Sequence, residues 1–345
     1  MSNCETQTKM FIEAGEASAY VQKFLDTTSE KFEKLVAEIN KFDPNFVVTC
    51  ARGSSDHAAT YAKYMIEKSL GLDVVSHAPS MSSVYARPLK LDKALFITIS
   101  QSGGSPDLIK SAKLARKQGA LTVAFCNVTS SPLAEVCEYV IPLCAGPENS
   151  VAATKSYILS LVAIANLVGK LTQDSELNKA IKTLPEKLAQ AWNLDWSNAT
   201  PVLKNAHNFF VVSRGLGLGI AQEAALKFKE TSGLHAEAYS SAEVRHGPMA
   251  LIKKDFPILL FVPNDASTGS FNKIAKDFID RGAKVISAGK AYEGGITLPT
   301  VQSMHPSLSV ICMIQSFYKM LNSLALARGY DPDSPPFLKK VTETI

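Results

Sequence analysis

Residues 96–107 read Phe-Ile-Thr-Ile-Ser-Gln-Ser-Gly-Gly-Ser-Pro-Asp, an apolar β-branched run that breaks into hydroxyls and glycines immediately before a helix start. Ser105 suits an N-cap, Pro106 the first helical position and Asp107 a first-turn acid. The unpaired N–H groups of such a helix point back over the loop and favour an anion there. Ser100, Gln101, Ser102 and Ser105 add side-chain donors, while Gly103 and Gly104 let the backbone approach a ligand with no Cβ in the way. Ser and Gly also make ordinary turns, but four donor side chains in six residues favour a phosphate cradle. A second turn, Gly53-Ser54-Ser55-Asp56-His57, lets Ser54 or Ser55 cap the next helix and turns the other hydroxyl toward the same pocket.

A second group of reactive side chains falls at residues 220–230, Ile-Ala-Gln-Glu-Ala-Ala-Leu-Lys-Phe-Lys-Glu. Glu223, Lys227 and Glu230 recur at i, i+4 and i+7 and share one helix face. Glu230 sits in the last turn before Thr231-Ser232-Gly233, where the negative end of the macrodipole disfavours its charge and suits it to general-base work. Taken alone, the helix reads as a solvated, salt-bridged face. Residues 234–248 change that balance, because His235, Glu237, Glu243, Arg245 and His246 crowd into one Gly/Pro-terminated stretch that is too polar for core.

The elements that position these residues form an internal repeat. Asn45-Phe-Val-Val-Thr-Cys-Ala-Arg-Gly53 matches Asn208-Phe-Phe-Val-Val-Ser-Arg-Gly215, and Leu95-Phe-Ile-Thr-Ile99 matches Ile258-Leu-Leu-Phe-Val262. Gln118-Gly-Ala-Leu-Thr-Val123 likewise matches Arg281-Gly-Ala-Lys-Val-Ile286. Each half reads strand, helix, strand, helix, strand. All-apolar strands alternating with amphipathic helices predict an α/β fold of two tandem domains, each a parallel sheet flanked by helices in a flavodoxin-like αβα sandwich. Ligands bind such sheets beyond the carboxyl ends of the strands, at the point where the strand order reverses. The second half has Pro263-Asn-Asp-Ala-Ser-Thr268 where the first has its cradle, so Pro263 and Asp265 stand where donors are needed and one phosphate site per chain is expected. Gly215, Gly217 and Gly219 lack the G-x-G-x-x-G spacing and read as tight helix–strand packing.

Composition, at 46% hydrophobic and 20% charged, bounds the class to a soluble globular protein with room for two domains. No apolar run approaching the roughly 20 residues of a bilayer span is evident, and the N-terminus has no basic-then-apolar leader pattern, so a cytoplasmic protein with no membrane partner is expected. Cys4, Cys50, Cys126, Cys137, Cys144 and Cys312 are scattered without C-x-x-C pairs or histidines at ligand spacing, which predicts free thiols and no metal site. The net charge of +4, without a dense Lys/Arg stripe, fits a small phosphorylated substrate and no nucleic acid.

In this order, the segments Ser-Gln-Ser-Gly (100–103), Lys-x-Lys-Glu (227–230), His-Ala-Glu-Ala-Tyr (235–239) with His-Gly-Pro (246–248), and Lys340 resemble the sugar isomerase (SIS) domain pair of glucosamine-6-phosphate synthase. The resemblance covers nearly the whole chain. It implies an N-terminal helical segment over 1–29, a phosphate-binding SIS domain over 30–175, a second SIS domain over 195–330 with the catalytic helix and loop, and a tail over 331–345 carrying Lys340. It further implies that Ser55, Ser100, Gln101, Ser102 and Ser105 hold the sugar phosphate, with Ser54, Gly103, Ala153 and Lys227 also at the substrate. Glu230 would move a proton between C1 and C2, His246 assist ring opening, and Lys340 form a Schiff base with the keto sugar. The residue types suit those tasks: a base beside a carbonyl, a titratable imidazole for a hemiacetal proton, and an amine for carbonyl capture. No cofactor and no metal are implied, and the histidine would come from a neighbouring subunit, giving a homodimer with its active site at the subunit interface. The stiff run Asp331-Pro-Asp-Ser-Pro-Pro336 predicts a tail folded down rather than waving free.

Departures from the synthase set the expected direction of reaction. Only about 40 residues precede the first strand, fewer than a domain of roughly 50–250 residues needs, so no glutaminase domain is expected and Cys4 is not its nucleophile. Gly104, Ser105 and Ala153 stand where the synthase has an acid, a threonine and a serine. These changes resemble the stand-alone SIS-type glucosamine-6-phosphate deaminases, which implies hydrolytic release of ammonia with fructose 6-phosphate as the other product. A fructosamine-6-phosphate deglycase, a galactosamine-6-phosphate deaminase and a non-catalytic sugar-phosphate sensor are the alternatives.

Overall fold

The computed structural model describes residues 8–340, so Cys4 lies outside it. Two compact units are present: one of residues 19–148, 155–182 and 339–340, the other of residues 8–18, 149–154 and 183–338.

The first unit is built on five parallel strands, β1 (Phe46–Cys50), β2 (Val74–Ser76), β3 (Ala94–Ser100), β4 (Leu121–Cys126) and β5 (Tyr139–Pro142), in the order β2-β1-β3-β4-β5. All seven residues of β3 are buried, as a strand covered on both faces requires. Val48, Phe96 and Ala124 pack with Leu108, Ala112 and Ala115 of the helix Pro106–Lys117 to form one core. The order reverses between β1 and β3, so the crevice opens beyond Cys50 and Ser100, between the two turns read as ligand loops.

The second unit repeats the plan with β6 (Asn208–Ser213), β7 (His235–Ser240), β8 (Pro257–Phe261), β9 (Lys284–Ala288) and β10 (Ile296–Leu298), in the order β10-β9-β8-β6-β7. Read from its other edge, this is the strand order of the first sheet. Phe210, Val212, Ile258, Leu260 and Val285 face Phe271, Ile274 and Phe278 of the helix Ser270–Asp280. On the helix Gly217–Ser232, Phe228 stacks edge-on against Phe209 of the sheet at 4.6 Å and Phe317 of the helix Pro306–Ala327 at 5.0 Å.

Two readings of the sequence are corrected. The helix Pro306–Ala327, 22 residues long, does reach the length and apolarity of a membrane span; 78% of its most apolar stretch is buried inside the protein, as for a core helix. Residues 235–240, within the stretch read as too polar for core, form the edge strand β7. An edge strand is only half covered, which is why its sequence carries no apolar run. The tail is tied down at Asp333, whose carboxylate accepts from the N–H groups of Lys9 (2.7 Å) and Met10 (2.8 Å) at the start of the helix Lys9–Gly15.

Candidate active site

The cradle follows β3. Ser100, buried at the strand end, accepts from the Gly103 N–H at 3.0 Å, and the Ser102 hydroxyl accepts from the Gly104 N–H at 3.3 Å. Hydroxyls that accept in this way keep their own protons to donate to a ligand. Gly103 has φ +65°, and a Cβ there would lie 2.0 Å from Ser131 Oγ, so only glycine fits. Its carbonyl accepts from the Leu133 N–H at 3.1 Å, fixing the loop from below. The next helix begins at Pro106 with Ser105 at the N-cap in extended conformation, yet the Ser105 hydroxyl makes no cap bond. Gln101 is half-buried in the same loop.

The other turn departs from expectation. Gly53, at φ +56°, is the N-cap of the helix Ser54–Leu70, so Ser54 and Ser55 occupy its first two positions and neither caps it. The chain leaves β1 through a left-handed residue that only glycine adopts cheaply, and this moves both serines one step into the helix. Their N–H groups and hydroxyls are thereby placed in the first turn, where an anion is favoured.

Sequence reasoning missed Arg52. Its Nη2 and Nε lie 2.7 and 2.8 Å from Asp107 Oδ2, and Asp107 Oδ1 accepts from the Leu108 N–H at 2.8 Å. Asp107, expected as a simple first-turn acid, is fully buried, while the Arg52 side chain is 46% exposed. The pair joins the end of β1 to the helix behind the cradle and sets a fixed guanidinium with spare donors at the switch point. A signal was present: an arginine just past the end of a strand, paired in the repeat with Arg214.

Lys340 meets Glu148 at 3.4 Å, and this fully buried carboxylate also accepts from the N–H (3.1 Å) and Oγ (2.6 Å) of Ser156 at the start of the helix Lys155–Leu171. Lys155 is buried, with its ammonium 4.4 Å from the centre of the Tyr20 ring. Ala153 lies in the 149–154 segment of the second unit, where the N–H groups of Asn149 and Ser150 donate to the Glu13 carboxylate at 2.5 and 3.1 Å.

On the helix Gly217–Ser232 the three charged residues come together, but not as a solvated face. The Lys227 ammonium lies 3.5 Å from Glu223 Oε1 and 2.5 Å from Glu230 Oε2, and the Tyr318 hydroxyl donates to Glu223 at 3.2 Å. The side chains of Glu223 and Lys227 are 0% and 1% exposed, that of Glu230 20%. Burial pulls the Lys227 pKa down, but the two carboxylates together outweigh it and hold it above the ordinary lysine value. Glu230 is therefore the accessible end of a buried chain of charges. His246 does not join this chain. It is exposed at the end of the 3₁₀ turn Glu243–Arg245, beyond β7.

The counterpart loop at 263–268 has spent its donors internally. Ser267 gives its N–H (2.8 Å) and Oγ (2.6 Å) to Asp265, and the Thr268 hydroxyl lies 2.6 Å from the Pro263 carbonyl and 2.7 Å from that of Asp265. A Cβ on Gly217 would lie 2.1 Å from Ser213 Oγ and 3.0 Å from the Pro263 ring, so this glycine serves packing, as read from its spacing.

The SIS domain family model matches residues 42–169 and 202–290, one stretch on each sheet. The chain belongs to the SIS family. Among curated relatives, this SIS chain is 32% identical over 325 residues to the glutamine–fructose-6-phosphate aminotransferase (isomerizing) of Clostridium perfringens, covering 88% of the chain and 52% of the relative. It thus spans about half the length of the curated relatives it matches, namely their isomerase half. A solved structure from Silicibacter pomeroyi DSS-3, provisionally assigned as a phosphosugar isomerase, is 42% identical with a TM-score of 0.91, covering 95% of this chain and 100% of that one. The glucosamine-6-phosphate deaminase of Thermotoga maritima shares the fold at 21% identity, with a TM-score of 0.77 over 98% of this chain and 100% of its own. This SIS protein is accordingly related to sugar-phosphate isomerases.

Proposed function

We propose that the chain is a glucosamine-6-phosphate deaminase, converting glucosamine 6-phosphate and water to fructose 6-phosphate and ammonia. The observation that carries the reading is Glu230, a half-covered carboxylate held by the buried Lys227, as a base working at the edge of a dry interior should be. The cradle at 100–105, Ser54, Ser55 and Arg52 support phosphate anchoring, which supplies binding energy remote from the reacting carbon. His246 assists opening of the pyranose ring, and Glu230 removes the C2 proton and returns it at C1. The amine-bearing C2 becomes an iminium. Water adds to it and ammonia leaves, or Lys340 displaces ammonia by transimination before the ketose is released by water. The same proton transfer serves the opposite direction, but deamination asks only for water as second reactant, and Gly104, Ser105 and Ala153 accord with it. The active unit is a homodimer to which each chain lends His246.

Incubation with glucosamine 6-phosphate in the absence of glutamine should release ammonia and fructose 6-phosphate in equal amounts, with Glu230→Gln slower by about 10²–10⁴-fold. Isomerised product without ammonia, or undiminished Glu230→Gln, overturns the reading. Mixing inactive Glu230→Gln and His246→Ala chains should restore part of the activity; no recovery in mixed dimers excludes the shared site.

A further inference from the structure

Apart from the site above, the first unit carries a groove of about 270 Å³ between three helices, with Leu25 on Ala17–Phe42, Asn166 and Lys170 on Lys155–Leu171, and Asn178, Ile181 and Lys182 on Ser175–Trp192. Asn166 is the telling residue. It is 7% exposed, flanked by buried Ala165, Leu167 and Val168, and its side-chain amide hydrogen-bonds to none of the described residues. The Asn166 amide is not sealed from the groove it lines, so its donors and its acceptor are presented to an occupant there.

The remaining walls say what would complete it. Asn178 is locked in place: its Nδ2 donates to the Gly169 carbonyl at 2.9 Å, and a Cβ on Gly169 would lie 2.6 Å from its Oδ1. Lys170 is 4.0 Å from Glu33, whose carboxylate also accepts from Ser29 at 3.1 Å. Lys182 forms no ion pair with any described residue, so of the two ammonium groups lining the groove only that of Lys170 meets a carboxylate. Its volume is near the lower bound of ligand pockets, roughly 300–1,000 Å³, which confines an occupant to monosaccharide size. The geometry points to a second binding site, here for a phosphorylated sugar, with the phosphate between Lys170 and Lys182, hydroxyls on the Asn166 and Asn178 amides, and a C–H face on Leu25 and Ile181. This inference does not depend on the deaminase reading.

The probe is glucitol 6-phosphate, a linear sugar phosphate with no carbonyl to react, titrated into the whole chain by equilibrium dialysis. Wild type should bind two molecules per chain. Asn166→Leu, which conserves volume, and Lys182→Glu should each bind one, or weaken the second site at least tenfold, with glucosamine 6-phosphate turnover at low substrate unchanged. Combined Ser102→Ala and Arg52→Met should also leave one, that in the groove. A single wild-type site that disappears in Asn166→Leu supports the groove and counts against the cradle. A single site that survives both Asn166→Leu and Lys182→Glu, two sites indifferent to them, or no binding at all, overturns the inference.

Discussion

Replacing Lys227 with methionine probes the buried chain of charges directly. The ammonium is 1% exposed and compensates Glu223, 0% exposed, on one side and Glu230 on the other. Taking one partner from a buried ion pair leaves an uncompensated charge and costs about 3–5 kcal/mol; the more exposed Glu230 is screened by water and adds little. At roughly 2–4 °C per kcal/mol for a unit of about 150–250 residues, the melting temperature of the second unit should fall by about 6–20 °C. The loss carries a pH signature. In the variant, the buried Glu223 carboxyl has a folded pKa raised above its unfolded value near ~4.3, so the penalty is absent below that value and grows as pH rises through the folded pKa. The gap between wild type and variant should therefore close toward pH ~4 and be full at pH ~7. Adding Glu223→Gln to Lys227→Met should recover most of the lost stability, because a neutral amide tolerates the dry site. Differential scanning calorimetry across this range decides the matter. A fall of less than about 2 °C at neutral pH, or a gap that does not change with pH, would refute the compensation by Lys227.

Gly103→Ala forces a Cβ onto Ser131 at a positive φ; it should cost about 1–3 kcal/mol and raise KM for the phosphorylated substrate more than it lowers kcat, as steady-state kinetics will show. Lys340→Ala should slow ammonia release and abolish borohydride trapping of the ketose on the chain, and full deamination activity in that variant removes the covalent branch. Burial pushes the thiols of Cys50 and Cys312 up to about 12 and that of Cys137 to about 11. Iodoacetamide at pH ~8 should therefore spare these three until the protein is denatured, and their modification in the native state, read by peptide mass spectrometry, counts against the core described.

What the sequence displayed and what it hid divide along the sheet edges. The six strands legible as apolar runs, β1, β3, β4, β6, β8 and β9, are the interior strands of their sheets. The four that carried no such run, β2, β5, β7 and β10, are the edges, where half-exposure removes the apolar continuity on which the reading depends. At the candidate site, the helix start at Pro106 was readable because Ser-Pro-Asp is local chemistry. Arg52 with Asp107 was not, since 55 residues separate the partners and only the fold brings them together. The Glu223–Lys227–Glu230 spacing was plain, but its burial depends on helix Pro306–Ala327, far along the chain.

The two sheets share one strand order, yet only the first ends in an open cradle. In the second, Ser267 and Thr268 turn inward on Asp265 and Pro263, and the Pro263 ring closes on Gly217. A doubled frame thus holds form constant while the loops diverge: in one copy the hydroxyls accept from the backbone of glycines, and in the other they have become masonry, donating to Asp265 and Pro263. Exchange between them is therefore unequal. The sealed loop could be transplanted into the first sheet as a stopper, whereas opening the second would require removing the proline that buttresses its helix, so the proposed anion binding would be easier to lose in this architecture than to regain.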